Sequence, residues 1–469
     1  MKCYCNIVVQ LSVTKPKKQK MIVGKNRGLI LLVGAMLFSS TLARASLWVT
    51  GYYPGYEQGA LPASAIDYTA LTHIVHFALV PAANGTIDAS ANVISPANVT
   101  DAVSKAHQAG KKILICIGGQ GSSFSGVSDP TYLNNLVSNT VSFMQTNGYD
   151  GIDLDWEPVV STDQTNFTNF VVKLRTAMNT VVPRPLFTIA MPATSPVDVG
   201  PTILGLVKSQ FDQINLQTYD FSGPYEGWFT WFDAPIYDGG AEFPNNGGTP
   251  PSIDGMISLY KGAGFNPAQL GIGIHFEGYI WSGGTTTTNS NGVSVPRQAW
   301  NTAPTVTYDV KYKTLIQSYS TNQYYWDTNA QAAYFSVTNQ GANNQFVSYD
   351  DARACGSKIS YARNNGLGGV ILFELADDHT GNGPDPLLEA VKAAVATPGA
   401  VTIQRDGQSN VLSFTSAPLG SYNIQYTTNL VSSVWNSLLI TNETGAGGVR
   451  QVIDTTNQPR RFYRVKTPP

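Results

Sequence analysis

Charge is scarce in this chain: only 13% of its 469 residues are Asp, Glu, Lys or Arg, and 29 basic against 31 acidic residues leave a net charge near −2. With no basic block beyond the N-terminus there is no electrostatic footprint for a phosphate backbone, so no nucleic-acid partner is expected and a neutral ligand is favoured. Cysteine is scarcer still. Of the four, Cys3 and Cys5 lie at the very start, which leaves Cys116 and Cys355. A disulfide framework is excluded; one bridge stays open, but two buried thiols are the simpler reading because Cys116 sits in a strand-like run. The five histidines are scattered without metal-ligand spacing, which predicts no metal site and no cofactor.

Long apolar runs are missing too. The segment Leu29 to Phe38 is too short to span a bilayer comfortably. It follows Lys25 and Arg27 and precedes Ala43-Arg44-Ala45, the pattern of a secretory signal cleaved before Ser46. Met21 opens a more typical signal than Met1, so the residues before it read as a longer leader or a misassigned start. Residues 1–45 are therefore expected to be removed, giving a secreted, extracellular protein with no membrane attachment, acting as a monomer.

What the chain does have is regular punctuation. From Leu47 onward, short apolar runs alternate with helix-length stretches, the pattern of a parallel sheet with crossover helices. Candidate strands are Leu47 to Tyr53, Ile74 to Leu79, Lys112 to Ile117, Gly151 to Trp156, Leu186 to Met191, Gln213 to Thr218, Gly271 to Phe276 and Gly369 to Phe373. Eight such strands predict an α/β fold of the (β/α)8 TIM barrel type over residues 46–396, with its site on the loops that follow the strands. A doubly wound open sheet is the alternative, disfavoured because no glycine-rich phosphate loop follows the first strand. Beyond the linker Thr397-Pro398-Gly399, residues 400–469 alternate between strand-like runs and turns, as in a small β-sandwich. Its Trp435, Tyr422, Tyr426, Phe462 and Tyr463 read as core residues rather than a stacking platform.

The densest chemistry lies in DGIDLDWE, Asp150 to Glu157. In a strand, Asp153, Asp155 and Glu157 share one face while Ile152, Leu154 and Trp156 take the other. Like charges about 6–7 Å apart in a low-dielectric site repel, share protons and titrate together, with at least one pKa raised. A general acid working at neutral pH needs that. An exposed polar edge strand and an oxygen-ligand metal site are the competing readings. Asp150 has the opposite parity and is read as structural.

DGIDLDWE resembles the D-G-x-D-x-D-x-E signature of glycoside hydrolase family 18, the chitinases and their relatives. GYYPGYE, CIGG, AMPA, LQTYDF and GLGGVILFEL follow the order of that family along the chain. Roughly ninety residues separate the seventh and eighth strands, too many for one helix. Their sequence is similar to the small α+β insertion of many family 18 chitinases, here at about 282–350. The resemblance implies hydrolysis of chitin or N-acetylglucosamine oligosaccharides, with Glu157 as acid and the substrate's own acetamido group as nucleophile. Asp155 would orient that group, Asp153 would share its proton, and Tyr219 would hold its oxygen. Asp220, Tyr53, Gly119, Met191 and Phe373 would contact the sugar. Aromatic faces suit sugar C–H faces, which adds Tyr52, Trp228, Trp231 and Trp281 as candidates, while Trp156 is expected to pack outward.

Several positions depart from the family pattern: Phe373 stands for a tryptophan, Cys116 for a serine, Gln217 for a methionine, and Glu277-Gly278-Tyr279 for Tyr-Gly-Arg. The alternatives are an endo-β-N-acetylglucosaminidase, a peptidoglycan hydrolase, or a chitin-binding lectin on the same fold.

Overall fold

The computed structural model describes residues 47–192, 199–285, 291–338, 344–381 and 383–395, together with 402–406, 409–416, 421–429, 434–442, 448–455 and 461–466. The expected leader and the Thr397-Pro398-Gly399 linker lie outside the described residues. The chain divides into two compact units, Leu47–Val395 and one that holds the C-terminal stretch.

Eight parallel strands form the first unit: Trp48–Pro54, His73–Pro81, Lys112–Gln120, Gly151–Glu157, Leu186–Pro192, Gln213–Gln217, Leu270–His275 and Gly369–Phe373. Each pairs with its neighbour, and the first strand pairs with both the second and the eighth. That closure excludes the open doubly wound sheet and makes the fold a TIM barrel. The strands read as apolar runs because both faces are buried. One face packs against the helices: Ile115, Ile152, Leu154, Phe187, Ile189 and Ile214 lie in the main core together with Leu136, Phe167 and Leu174. The other face fills the barrel with a smaller set that includes Tyr52, Val75, Phe77, Leu114, Cys116, Ala190, Tyr219 and Ile371. Helices start where short polar side chains accept the free backbone N–H groups. Asp129 accepts from Thr131 and Tyr132 at 2.8 Å before helix Pro130–Thr146, and Asp351 accepts from Ala354 at 2.7 Å before helix Ala352–Asn364.

Between the seventh and eighth strands the chain forms a five-stranded antiparallel sheet in the order Thr305–Lys311, Glu277–Ser282, Gln345–Tyr349, Ala332–Val337 and Tyr324–Asp327, with helix Tyr312–Ser318. The sheet opens at Glu277, two residues after the barrel strand ends. It carries its own core, in which Trp281 and Phe346 pack with Phe229, Trp231, Phe232 and Phe243 of the long loop after the sixth strand.

The second unit contains two three-stranded antiparallel sheets, Thr402–Asp406, Ser409–Ser416 and Gly448–Asp454 in one and Asn436–Asn442, Ser421–Thr427 and Phe462–Lys466 in the other. Leu412, Phe414 and Val452 of the first meet Tyr422, Ile424 and Tyr463 of the second in one core. Trp435 lies under the Arg464 guanidinium and Tyr426 under that of Arg461.

Candidate active site

The fourth strand carries the carboxyl ladder with the alternation its sequence dictates. Ile152, Leu154 and Trp156 face the helices, where Trp156 stacks on Phe124 with ring centroids 4.3 Å apart and meets Phe167 and Phe170. Asp153, Asp155 and Glu157 therefore point into the barrel. Exposure rises along the ladder: Asp153 and Asp155 are buried, and Glu157 is half-buried at the open end. Asp150 lies outside it, accepting from Lys112 Nζ at 2.6 Å and the Ile113 amide at 3.0 Å.

Each acid has a distinct setting. Asp153 accepts from the Tyr52 hydroxyl at 2.9 Å and from the Thr188 hydroxyl. Burial pushes its carboxyl up to about 6, against the pull of those hydrogen bonds. Asp155 is raised well above the carboxylate range by burial first, then by the Glu157 charge and the proton it shares with Glu157. Gln217 Nε2 donates to Glu157 and, at 3.3 Å, to Asp155 Oδ1. Glycine closes one side. The third strand ends in Gly118 and Gly119, both at positive φ, and a Cβ on Gly118 would lie 1.8 Å from the Asp155 carbonyl oxygen. A side chain there would displace the ladder.

Tyr219 follows the sixth strand and closes the opposite side. Its ring stacks on His275 with centroids 4.5 Å apart, and Phe373 lies 6.1 Å away. Burial, then Asp220 and Glu157, hold its hydroxyl well above the usual phenol range, so it remains a donor. Asp220 is exposed beside it, at a left-handed φ of 60°, and accepts from the Tyr279 hydroxyl of the insertion sheet. Phe373, Tyr52 and Phe77 complete an aromatic floor with centroid separations of 5.8 to 6.2 Å. Gly119 abuts it: a Cβ there would lie 2.8 Å from the Phe77 ring.

Four expected contacts do not reach this site. Tyr53 is fully buried on the helix-facing side of the first strand, and its hydroxyl donates to the Leu61 carbonyl at 2.7 Å. Its neighbour Tyr52, of opposite parity, points inward instead. Met191 also faces the helices, because Thr188 and Ala190 occupy the inner parity of the fifth strand. Trp231 and Trp281 are fully buried in the core of the insertion sheet, where the Trp231 indole N–H donates to the Pro251 carbonyl at 2.9 Å. Trp228 is half-buried against Phe243, with ring centroids 4.1 Å apart, and beside Tyr225. Cys116 and Cys355 are both buried free thiols. Cys116 lies opposite Asp153 in the strand register.

Other groups at this end of the barrel went unassigned in sequence. Thr188 supports Asp153. Tyr56 donates to Glu374 at 3.0 Å, and burial holds Glu374 up to about 7. Lys311 of the insertion sheet reaches Glu57 at 2.8 Å and Asp377 at 2.7 Å, tying the sheet to the loops after the first and eighth strands. Inner-face parity would have found Thr188; nothing in the sequence pairs Lys311 with Glu57.

A closed barrel whose strand ends carry two buried acids and one open acid over an aromatic floor has the layout of a glycoside hydrolase. The chain belongs to glycosyl hydrolases family 18, whose model matches residues 49–378. It is similar to chitinase A1 of Niallia circulans, 28% identical over 354 residues that cover 70% of this chain and 48% of the relative. This chain thus spans about half the length of that relative. A class V chitinase of Arabidopsis thaliana is 27% identical over 359 residues, covering 73% of this chain and 88% of its own. Among solved structures, a family 18 N-acetylglucosaminidase from Paenibacillus barengoltzii shares the fold with a TM-score of 0.61 at 22% identity, over 74% of this chain and 99% of that one.

Proposed function

We propose that this protein is a secreted chitinase that hydrolyses β-1,4-linked N-acetylglucosamine polymers with retention of anomeric configuration. The observation that carries this reading is the graded ladder, with Asp153 and Asp155 buried and Glu157 at the open end of one strand face. Family membership and the similarity to chitinases support the substrate class.

In this reaction Glu157 protonates the glycosidic oxygen, and the carbonyl oxygen of the substrate's acetamido group attacks the anomeric carbon. The aglycone leaves with the Glu157 proton, and a cyclic oxazolinium ion forms. Asp155 shares one proton with Glu157 at rest; in the complex that proton stays on Glu157, and Asp155, as the carboxylate, accepts from the acetamido N–H beside the cationic ring. Asp153, held by Tyr52 and Thr188, lies behind Asp155 as the second buried acid with which Asp155 can share a proton once the aglycone has left. Tyr219 donates to the acetamido oxygen and holds it for attack. Glu157 then takes a proton from the water that opens the oxazolinium ring. Phe373 forms the floor under the sugar, Asp220 contacts it at the rim, and Trp228 offers a ring further along the cleft.

Residues 46–396 form the catalytic domain in this account, 400–469 an accessory module, and 1–45 a leader removed on export. The insertion sheet, bound to both the sixth-strand and eighth-strand ends, supports binding along a polymer rather than at one end sugar. Glu157→Gln tests the assignment: turnover should fall by roughly 10²–10⁴ while oligosaccharide binding stays close to wild type. Equal hydrolysis by variant and wild type would remove Glu157 from the mechanism.

A further inference from the structure

The seventh strand ends in a group the mechanism above does not use. His275 is buried, 1% exposed, with a carboxylate on each ring nitrogen: Nδ1 lies 2.8 Å from Asp233 Oδ2 and Nε2 lies 2.9 Å from Glu277 Oε2. Both carboxylates are themselves buried. A ring that meets an acceptor at both nitrogens donates from both, which is the imidazolium form. Burial opposes that charge, but Asp233 and Glu277 outweigh it and hold His275 well above its usual range.

The surroundings keep the clamp rigid. Asp233 also accepts the Asp220 amide at 2.8 Å, and the His275 amide donates to Asp350, which is paired with Lys358. Asp220 and Asp309 add negative charge nearby, and Lys311 offsets part of it at Glu277. Against this clamped ring lies Tyr219, 4.5 Å between centroids and 15° from parallel. Gly273, two residues earlier on the same strand, leaves the rest of the slot open, since a Cβ there would lie 2.5 Å from the Tyr219 ring.

We propose that His275 is a positioning residue for Tyr219: held flat by Asp233 and Glu277, it sets the plane of the phenol ring and, as a cation against that ring's face, strengthens the hydroxyl as a donor. Electron density drawn towards the cation leaves the phenol proton more acidic, and the shared plane spares the hydroxyl a search for its angle. The inference rests on the role given to Tyr219 in acetamido binding.

A kinetic cycle separates this from simple packing. Wild type, H275Q, Y219F and the H275Q/Y219F double variant are compared for kcat on N-acetylglucosamine oligomers, each checked for folding by thermal melting. H275Q is expected to lower kcat roughly tenfold in the wild-type background and by less than about twofold in the Y219F background, because its effect passes through the lost hydroxyl. Equal losses in the two backgrounds overturn the proposal and leave the Tyr219 role standing. An unchanged kcat in Y219F overturns both. Should H275Q fail to fold, the wild type still decides. Nitrogen-15 spectra of the labelled histidines should show one ring protonated at both nitrogens through about pH 8, with a through-space contact to a tyrosine ring. A His275 ring that loses a proton below about pH 7 contradicts the cationic clamp.

Discussion

Gln217→Met restores the residue the family pattern expects and removes a donor that two acids share. Gln217 Nε2 donates to Glu157 and Asp155 Oδ1, and it favours the ionised form of Asp155 against burial. A hydrogen bond to a carboxylate contributes about 1.5–3 kcal/mol, and a half-buried donor such as Gln217 sits at the lower end of that range. One pH unit corresponds to about 1.4 kcal/mol, so losing the bond should move the proton held by the pair by roughly one unit. The sign follows from which form the amide stabilises. Methionine cannot donate, the ionised form loses support, and the proton is held to higher pH. The basic limb of kcat/KM reports loss of the proton that Asp155 shares with its neighbour, so it should move upward by about one unit in Gln217→Met. The assay is the pH profile of kcat/KM on an N-acetylglucosamine oligomer for variant and wild type. An unmoved or downshifted basic limb would refute the claim that Gln217 tunes the acid pair.

Trp156→Ala should lower stability by about 3–5 kcal/mol in denaturant unfolding, since its indole packs on Phe124, Phe167 and Phe170, while oligosaccharide affinity of the folded fraction stays unchanged. Gly273→Ala should cost about 1–3 kcal/mol by overpacking and lower kcat through the displaced Tyr219 ring; activity equal to wild type would show that the slot is loose. The melting temperature should fall as pH rises from about 5 to about 8. Asp153 is held up to about 6, and Glu374 and Asp378 up to about 7, so the folded state binds these protons more tightly and that stability is lost as pH passes through those values. His275, raised above its usual range, acts in the same direction. The lowered acids Asp150 and Asp327 give their full contribution above their usual value of 3.8. His73 and His76, which burial lowers to about 4, act the other way as pH rises through the usual histidine value of 6.5, but they are outnumbered by the raised groups; a rising melting temperature would contradict the trend.

The barrel was legible because its strands are buried on both faces, which writes each as an apolar run between glycine-rich or polar ends. The ladder was legible because acids alternate with apolar residues, so parity in Asp150 to Glu157 has one reading. Parity failed where neighbouring residues are alike. Tyr52 and Tyr53 are adjacent tyrosines, and only the pairing of the first strand decides that Tyr52 meets Asp153 while Tyr53 faces the helices. Met191 was placed by its motif, although Phe187 and Ile189 of the same parity belong to the outer core. Trp231 lies in a loop, where aromatic content alone does not separate a sugar platform from a core; here the insertion sheet covers it. The His275 clamp was invisible for a different reason. Its partners come from the loop after the sixth strand and from the first residue of the insertion sheet, and no spacing rule links Asp233 to Glu277.

The most direct test of the central claim is the anomeric form of the first products released from N-acetylglucosamine oligomers, followed by proton NMR before mutarotation. The substrate-assisted route through Glu157 predicts the β anomer, with N-acetyl groups intact, from the wild-type protein and its loss in Glu157→Gln. An α anomer as the first product, or binding without any cleavage, would contradict it.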